Sequence, residues 1–200
     1  MQSQQEVWEN ISFPWNEYRK NPLKEVTEFL KDKKGKLLDL GCGNGKNIIE
    51  FNGTIYGVDF SKNQIKNAKK LAKNKKVNAK FFNSKASNLE FNNNFFDSVI
   101  FIATLHSIDS EKERLKSLEE LYRVLKPNSF ALISVWSRNH KRIKNKPKEA
   151  LIPWTFKGKK YLRYYYIYKK NELEKLLKSI GFKIMKSWED MNLFFIVEKH

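Results

Sequence analysis

Short apolar runs alternate with amphipathic stretches along most of the chain. Residues 37–40, 54–59, 77–82, 96–103 and 129–136 read as five strands. Residues 45–52, 61–74 and 110–125 read as the helices between them. In the last of these, Leu115, Leu118, Leu121, Tyr122 and Leu125 recur at helical spacing, and Pro127 and Asn128 then break the pattern. Residues 21–31 predict a leading helix with Pro22 near its start. Residues 170–179 predict another, stopped by Gly181. Residues 182–188 and 192–198 close the chain as an antiparallel pair. This alternation predicts an α/β fold: a doubly wound, mostly parallel seven-stranded sheet with an antiparallel C-terminal strand. Ligands should bind at the C-terminal ends of the strands. From Ser137 to Leu162 neither helical nor strand periodicity holds.

Two hundred residues suit one domain, spanning 1–200, with 137–162 as a basic insertion on the substrate side. The single cysteine, Cys42, excludes an intrachain disulfide, and no Cys/His cluster suggests a metal site. The N-terminus is polar and aromatic, unlike a signal peptide. The longest apolar run, 98–105, is too short to span a bilayer. A soluble, cytoplasmic protein without a membrane partner is expected.

Candidate chemistry concentrates in Leu37-Leu38-Asp39-Leu40-Gly41-Cys42-Gly43-Asn44-Gly45-Lys46. An apolar strand ends in an acid and opens into a glycine loop, whose backbone can approach a bulky ligand closely. Dinucleotide loops read G-x-G-x-x-G and cradle a pyrophosphate. Here the order is D-x-G-x-G-x-G, and an acid beside the loop suits a cationic amino-acid ligand instead. The pattern resembles motif I of the class I methyltransferases, which bind S-adenosylmethionine. Asp39, Gly41, Gly43, Asn44 and Gly45 are the candidate cofactor contacts. Asp59, at the tip of the next strand, could accept hydrogen bonds from ribose hydroxyls or could cap the helix that begins near Ser61.

Net charge is +17, which favours a polyanionic partner, nucleic acid above all, although a Lys-rich composition alone would also produce it. The six arginines are more telling, because lysine is the default cation here. Arg138 and Arg142 lie in the irregular basic stretch, which also holds Trp154 and Tyr161. Cations interleaved with aromatics suit single-stranded nucleic acid, where cations track phosphates and rings stack on bases. A solvated loop is the alternative.

The chain resembles the tRNA wobble-uridine carboxymethyl methyltransferases nearly end to end. The resemblance rests on Val7-Trp8-Glu9-Asn10-Ile11 with Arg19 and Pro22, on the glycine loop, and on Phe96-Asp97 with 100–106. Val135-Trp136, Ile152-Pro153-Trp154 and Arg163-Tyr164-Tyr165-Tyr166-Ile167-Tyr168 complete it. It implies a Rossmann-like enzyme that esterifies the carboxylate of 5-carboxymethyluridine in the tRNA anticodon loop, using S-adenosylmethionine. It also implies a small zinc-binding activator protein that adds a strand to the sheet edge at 77–82. Two positions depart from the pattern. Lys85 stands where an acid usually meets adenine, leaving Asn83 or Ser84 for that contact, and His106-Ser107 replaces a histidine pair.

A carboxylate nucleophile is already ionised at neutral pH and needs desolvation and alignment, not a general base. An arginine suits it as a bidentate clamp, and Arg19 and Arg163 are the candidates. His106 could orient the uridine or close a loop. Tyr164 and Trp154 could serve the site or the core. Two other functions stay open: methylation of a small metabolite acid, and RNA binding without catalysis.

Overall fold

The computed structural model describes residues 2–18 and 21–200, without the side chains of 14–18. In chain order the elements are α1 (Gln4–Tyr18), α2 (Lys24–Leu30), β1 (Lys34–Leu40), β2 (Asn52–Asp59), α3 (Lys62–Lys75), β3 (Ala79–Asn83) and β4 (Phe96–Ile102). A 3-10 turn (Leu105–Ser107) follows, then α4 (Glu111–Val124), β5 (Leu125–Trp136), β6 (Glu149–Phe156), β7 (Lys159–Tyr166), α5 (Lys170–Ile180), β8 (Phe182–Glu189) and β9 (Asn192–Lys199). Seven strands form one sheet in the order β3-β2-β1-β4-β5-β9-β8, and β6 and β7 form a separate hairpin. The first five are parallel; β9 runs antiparallel to both β5 and β8.

The sheet buries both faces, which is why its central strands are apolar at nearly every position. On one face Leu38, Leu40, Val99, Phe101 and Ile133 pack with Leu118, Leu121 and Val124 of α4 and Leu173 and Leu177 of α5. On the other, Leu37, Ile55, Ile100 and Leu132 pack with Val26 and Leu30 of α2 and Ala72 of α3. Ser61 caps α3 and Ser110 caps α4, each accepting an N–H three residues on, from Gln64 (3.1 Å) and Glu113 (3.3 Å). Among the described residues, no helix is long and apolar enough to cross a membrane.

Three sequence expectations change. Residues 45–52 form turns and an extended stretch, not a helix. Gly45 N–H bonds Cys42 O, Ile48 N–H bonds Gly45 O, and Asn44 Oδ1 accepts the Lys46 N–H. Residues 41–51 are all that link β1 to β2, and Ile48 is buried by packing, without helical periodicity. The irregular stretch contains a regular hairpin. Tyr161, Arg163 and Tyr165 of β7 are buried while Leu162 is exposed and Tyr164 half-buried. Its inward face mixes charge with aromatics, which hides the two-residue period from a hydrophobicity reading. The third element is α1, which the pattern did not predict. Val7 and Ile11 pack against Tyr161, and Trp8 and Trp154 against that cluster. Helix α1 also ties elements together. Gln4 bonds Leu162 O and the Tyr164 N–H, while the Glu9 carboxylate accepts the N–H groups of Lys62 (2.6 Å) and Asn63 (3.0 Å) at the start of α3.

Candidate active site

The glycine loop leaves β1 where the strand order reverses between β1 and β4, the place where open α/β sheets bind ligands. Gly41 and Cys42 donate to Val58 O at 2.8 and 2.9 Å, which folds the loop over β2. Gly41 has φ 69°, and a Cβ there would lie 2.3 Å from Thr104 Oγ1, so no side chain fits. Gly43, at φ 54°, has no atom within 4 Å of the Cβ position and turns its open side outward. The loop is thus clamped on one side and bare on the other.

Asp59 holds the loop in place. Its Oδ2 accepts the Gly43 N–H and its Oδ1 the Ser61 N–H, both at 2.9 Å. Burial pushes its carboxyl up to about 6, offset by those two backbone donors. Asp39 is 1% exposed, and neither of its oxygens has a hydrogen-bond partner. Burial drives it up to about 7, with Lys46 pulling the other way and Asp59 adding to the rise. Burial, together with both acids, pushes the Cys42 thiol well above its ordinary value.

A cleft of about 900 Å³, including its open mouth, runs along the loop. Gly43, Asn44, Asp59 and Gln64 line it, as do Thr104, Trp136, Tyr165 and Asn192 from later elements. An adjoining hollow of about 630 Å³ shares Gly41, Asp59, Phe60, Thr104 and Ser107 with it and extends the groove past Ser84 and Lys85 to Asp109 and Glu113. Asn47 Oδ1 and Gln64 Oε1 line the cleft, and both are buried without a donor. These two acceptors suit a ligand rich in donors, since each unpaired buried group costs about 1–3 kcal/mol. The ammonium and ribose hydroxyls of S-adenosylmethionine meet that need, so the residues present fit this cofactor. Among the described residues, no group of three or more His, Cys, Asp or Glu could hold a metal ion.

The candidates from the sequence are placed unequally. Gly41, Gly43, Asn44, Asp59 and Ser84 line the groove. Gly45 supports it from behind, its Cβ position 3.1 Å from Ala68. Asp39 lies beneath the loop and is not among the lining side chains. Arg163 is fully buried, donates to Tyr165 Oη at 2.9 Å, and packs against the rings of Trp8 and Trp154. Its charge therefore sits behind Tyr165, which does line the cleft. His106 is likewise buried, 4.8 Å from the Tyr165 ring and 5.8 Å from Trp136, with no partner on either nitrogen. Burial, with the charges of Arg163 and His140, lowers it to about 3, so it is neutral. Tyr164 points to the opposite face of β7, where its hydroxyl accepts from Arg114 at 3.2 Å. Trp154 belongs to the packing between α1 and the hairpin. Arg142 is exposed, while Arg138 is half-buried and reaches Lys146 O. Arg19 lies outside the described residues.

Sequence reasoning missed Asn47, Gln64, Trp136, Tyr165 and Asn192 as site residues. A signal existed for Tyr165: in a strand it shares a face with Arg163, whereas Tyr164 cannot. Asn192 gave none, because its position depends on the β8–β9 turn meeting the end of β5.

The family model described as a methyltransferase domain matches residues 31–181. A Mus musculus protein named "Probable tRNA methyltransferase 9B" is 28% identical over 152 residues, covering 74% of this chain and 32% of its own length. The chain therefore spans about a third of that relative. A Schizosaccharomyces pombe tRNA (carboxymethyluridine(34)-5-O)-methyltransferase is 27% identical over 225 residues, covering 98% of this chain and 95% of the relative. Among solved structures, one described as a complex between the Haloferax volcanii Trm112 methyltransferase activator and a methyltransferase superposes with a TM-score of 0.72. It is 14% identical and covers 100% of this chain and 99% of that one, a likeness of fold alone. With a glycine loop at the sheet's switch point and a family model over three-quarters of its length, the chain belongs to the methyltransferase domain family.

Proposed function

We propose that this chain is an S-adenosylmethionine-dependent tRNA methyltransferase that esterifies the carboxylate of 5-carboxymethyluridine at the anticodon wobble position. The observation that carries this reading is the near end-to-end match to a fission-yeast enzyme named for that reaction. The net charge of +17 and the exposed cations Lys141, Arg142, Lys144 and Lys146 in the segment after β5 agree with a polyanionic substrate. The chain acts as one domain, with residues 137–162 on the substrate side.

When bound, S-adenosylmethionine supplies a methyl group on a positively charged sulfonium. Asp59 and the glycine loop orient it, and Asp39 contributes negative charge beneath the loop. Ser84 serves the adenine end of the groove. Trp136 and Tyr165 exclude water from the cleft, which desolvates the incoming carboxylate. Arg163 favours that anion from behind Tyr165, and neutral His106 keeps a second positive charge out of the same cluster. The bound cofactor would supply the methyl group for the ester, and this chain's residues would have to align and desolvate the carboxylate without moving a proton. Arg19 remains a candidate clamp, and Trp154, Arg138 and Arg142 candidate RNA contacts.

The reading extends to a partner. Strand β3 is a sheet edge, and Phe82 on it is 36% exposed, stacked on Tyr56 at 6.2 Å. A small activator of the kind found with that structural neighbour would add a strand there.

Labelled S-adenosylmethionine and bulk tRNA test the reaction. The label should enter tRNA and leave as methanol under mild alkali, as an ester requires. Alkali-stable label would contradict esterification.

A further inference from the structure

Asn192 opens β9 and pairs in register with Trp136, the last residue of β5. The turn that presents it is pinned. Ser137 N–H donates to Met191 O at 3.2 Å, and Asp190 N–H donates to Asn192 O at 2.9 Å. The Glu189 carboxylate accepts from the Ser137 hydroxyl and from the Asn139 amide. Asn192 lines the cleft together with Trp136 and Tyr165, and its Oδ1 is buried without a hydrogen-bond partner among the described residues.

Asn192 lies at the substrate end. Between β9 and β2, which carries Asp59, stand β5, β4 and β1, four strand spacings or about 19 Å. The ribose-binding end of a cofactor anchored at Asp59 is thus remote from Asn192. What reaches Asn192 must bring an N–H donor, and the aromatic walls beside it suit a flat ring. A primary amide offers an acceptor and a donor side by side. The complementary edge is an imide, an N–H flanked by carbonyls, and uracil presents one at N3 between O2 and O4.

We propose that Asn192 reads the imide edge of the target uracil, accepting N3–H at Oδ1 and donating from Nδ2 to a ring carbonyl. This rests on the reading of the chain as a uridine-modifying methyltransferase. Asn192 is then a specificity residue for the base, separate from the groups that favour the carboxylate.

The test is a cycle between enzyme and substrate. Wild type and Asn192→Ala are each assayed on an anticodon stem-loop bearing 5-carboxymethyluridine, and on the same loop methylated at N3. Wild type should lose roughly tenfold or more in kcat/KM on the N3-methylated loop, the value of one buried hydrogen bond. Asn192→Ala should lose a similar factor on the first loop and little or nothing further on the second. Calorimetry with S-adenosylhomocysteine should give the same affinity for both proteins, which also reports folding. Additive losses, wild-type turnover by Asn192→Ala, or a lost affinity for S-adenosylhomocysteine would each overturn the proposal. Failure of wild type on the 5-carboxymethyluridine loop, with the activator of the proposed function present in every assay, would instead sink the function on which it rests.

Discussion

Asp39 carries its charge at a cost, because it is buried in a strand with no donor to either oxygen. Its folded value of about 7 stands above the ordinary 3.8, so the folded state holds a proton that the unfolded state has released. Stability of the free protein should therefore fall as pH rises from about 4 to about 7, then level off. Asp39→Asn removes the share of that slope due to Asp39 and leaves the smaller share of Asp59, whose value is raised to about 6. The variant should melt several degrees above wild type at pH 8, at about 2–4 °C per kcal/mol for a chain of this size, and match it near pH 4. A parallel pair of melting curves would show that Asp39 is not the titrating group. Asp59 makes a different demand. Asp59→Ala frees the Gly43 and Ser61 N–H groups and, on the proposed function, removes an acceptor for the ribose. Charge-assisted hydrogen bonds contribute about 1.5–3 kcal/mol each, so S-adenosylhomocysteine should bind at least roughly tenfold more weakly by calorimetry. Unchanged affinity in a folded variant would remove Asp59 from the site. At this scale the sequence was legible where one residue type has one use. Glycines at 41, 43 and 45 take positive φ, at 69°, 54° and 81°. His106 was not legible, because its position past β4 is right but its burial depends on Trp136 and Tyr165, which come from later elements.

Elements were legible where their apolar period is clean. Helix α4 and the strands around it fall within a few residues of expectation, and β3 is an edge strand. Helix α1 and the β6–β7 hairpin were not legible. Their buried faces carry Trp8, Trp154, Arg163 and tyrosines, which no hydropathy pattern separates from a surface. The edge strand yields an element-scale prediction. Lys80 and Phe82 project on the same side of β3, where Phe82 packs on Phe91 at 5.0 Å and Lys80 lies over Tyr56. Unpaired backbone groups beside half-exposed aromatics favour strand addition. Co-expression with a Trm112-type activator should give one complex on size exclusion, with higher yield and activity than the chain alone. A monodisperse, fully active lone chain that forms no complex on mixing would count against the partner.

Charge is the property of the whole molecule. Thirty-nine lysines and arginines against 22 acids give +17, and exposed cations recur through 141–148, the segment after β5. Binding of an anticodon stem-loop should weaken about tenfold or more between about 50 and 200 mM salt, as phosphate contacts displace counterions. Arg142→Ala should lower that salt slope by about one. A flat response would favour a small metabolite acid as substrate. The central claim is the reaction itself. It is tested most directly by incubating the chain, with the activator present, with S-adenosylmethionine and tRNA bearing 5-carboxymethyluridine, then digesting to nucleosides for mass spectrometry. The account predicts that the 5-carboxymethyluridine peak declines as its methyl ester rises in equal amount. A methylated nucleoside elsewhere in the tRNA, with 5-carboxymethyluridine untouched, would contradict it.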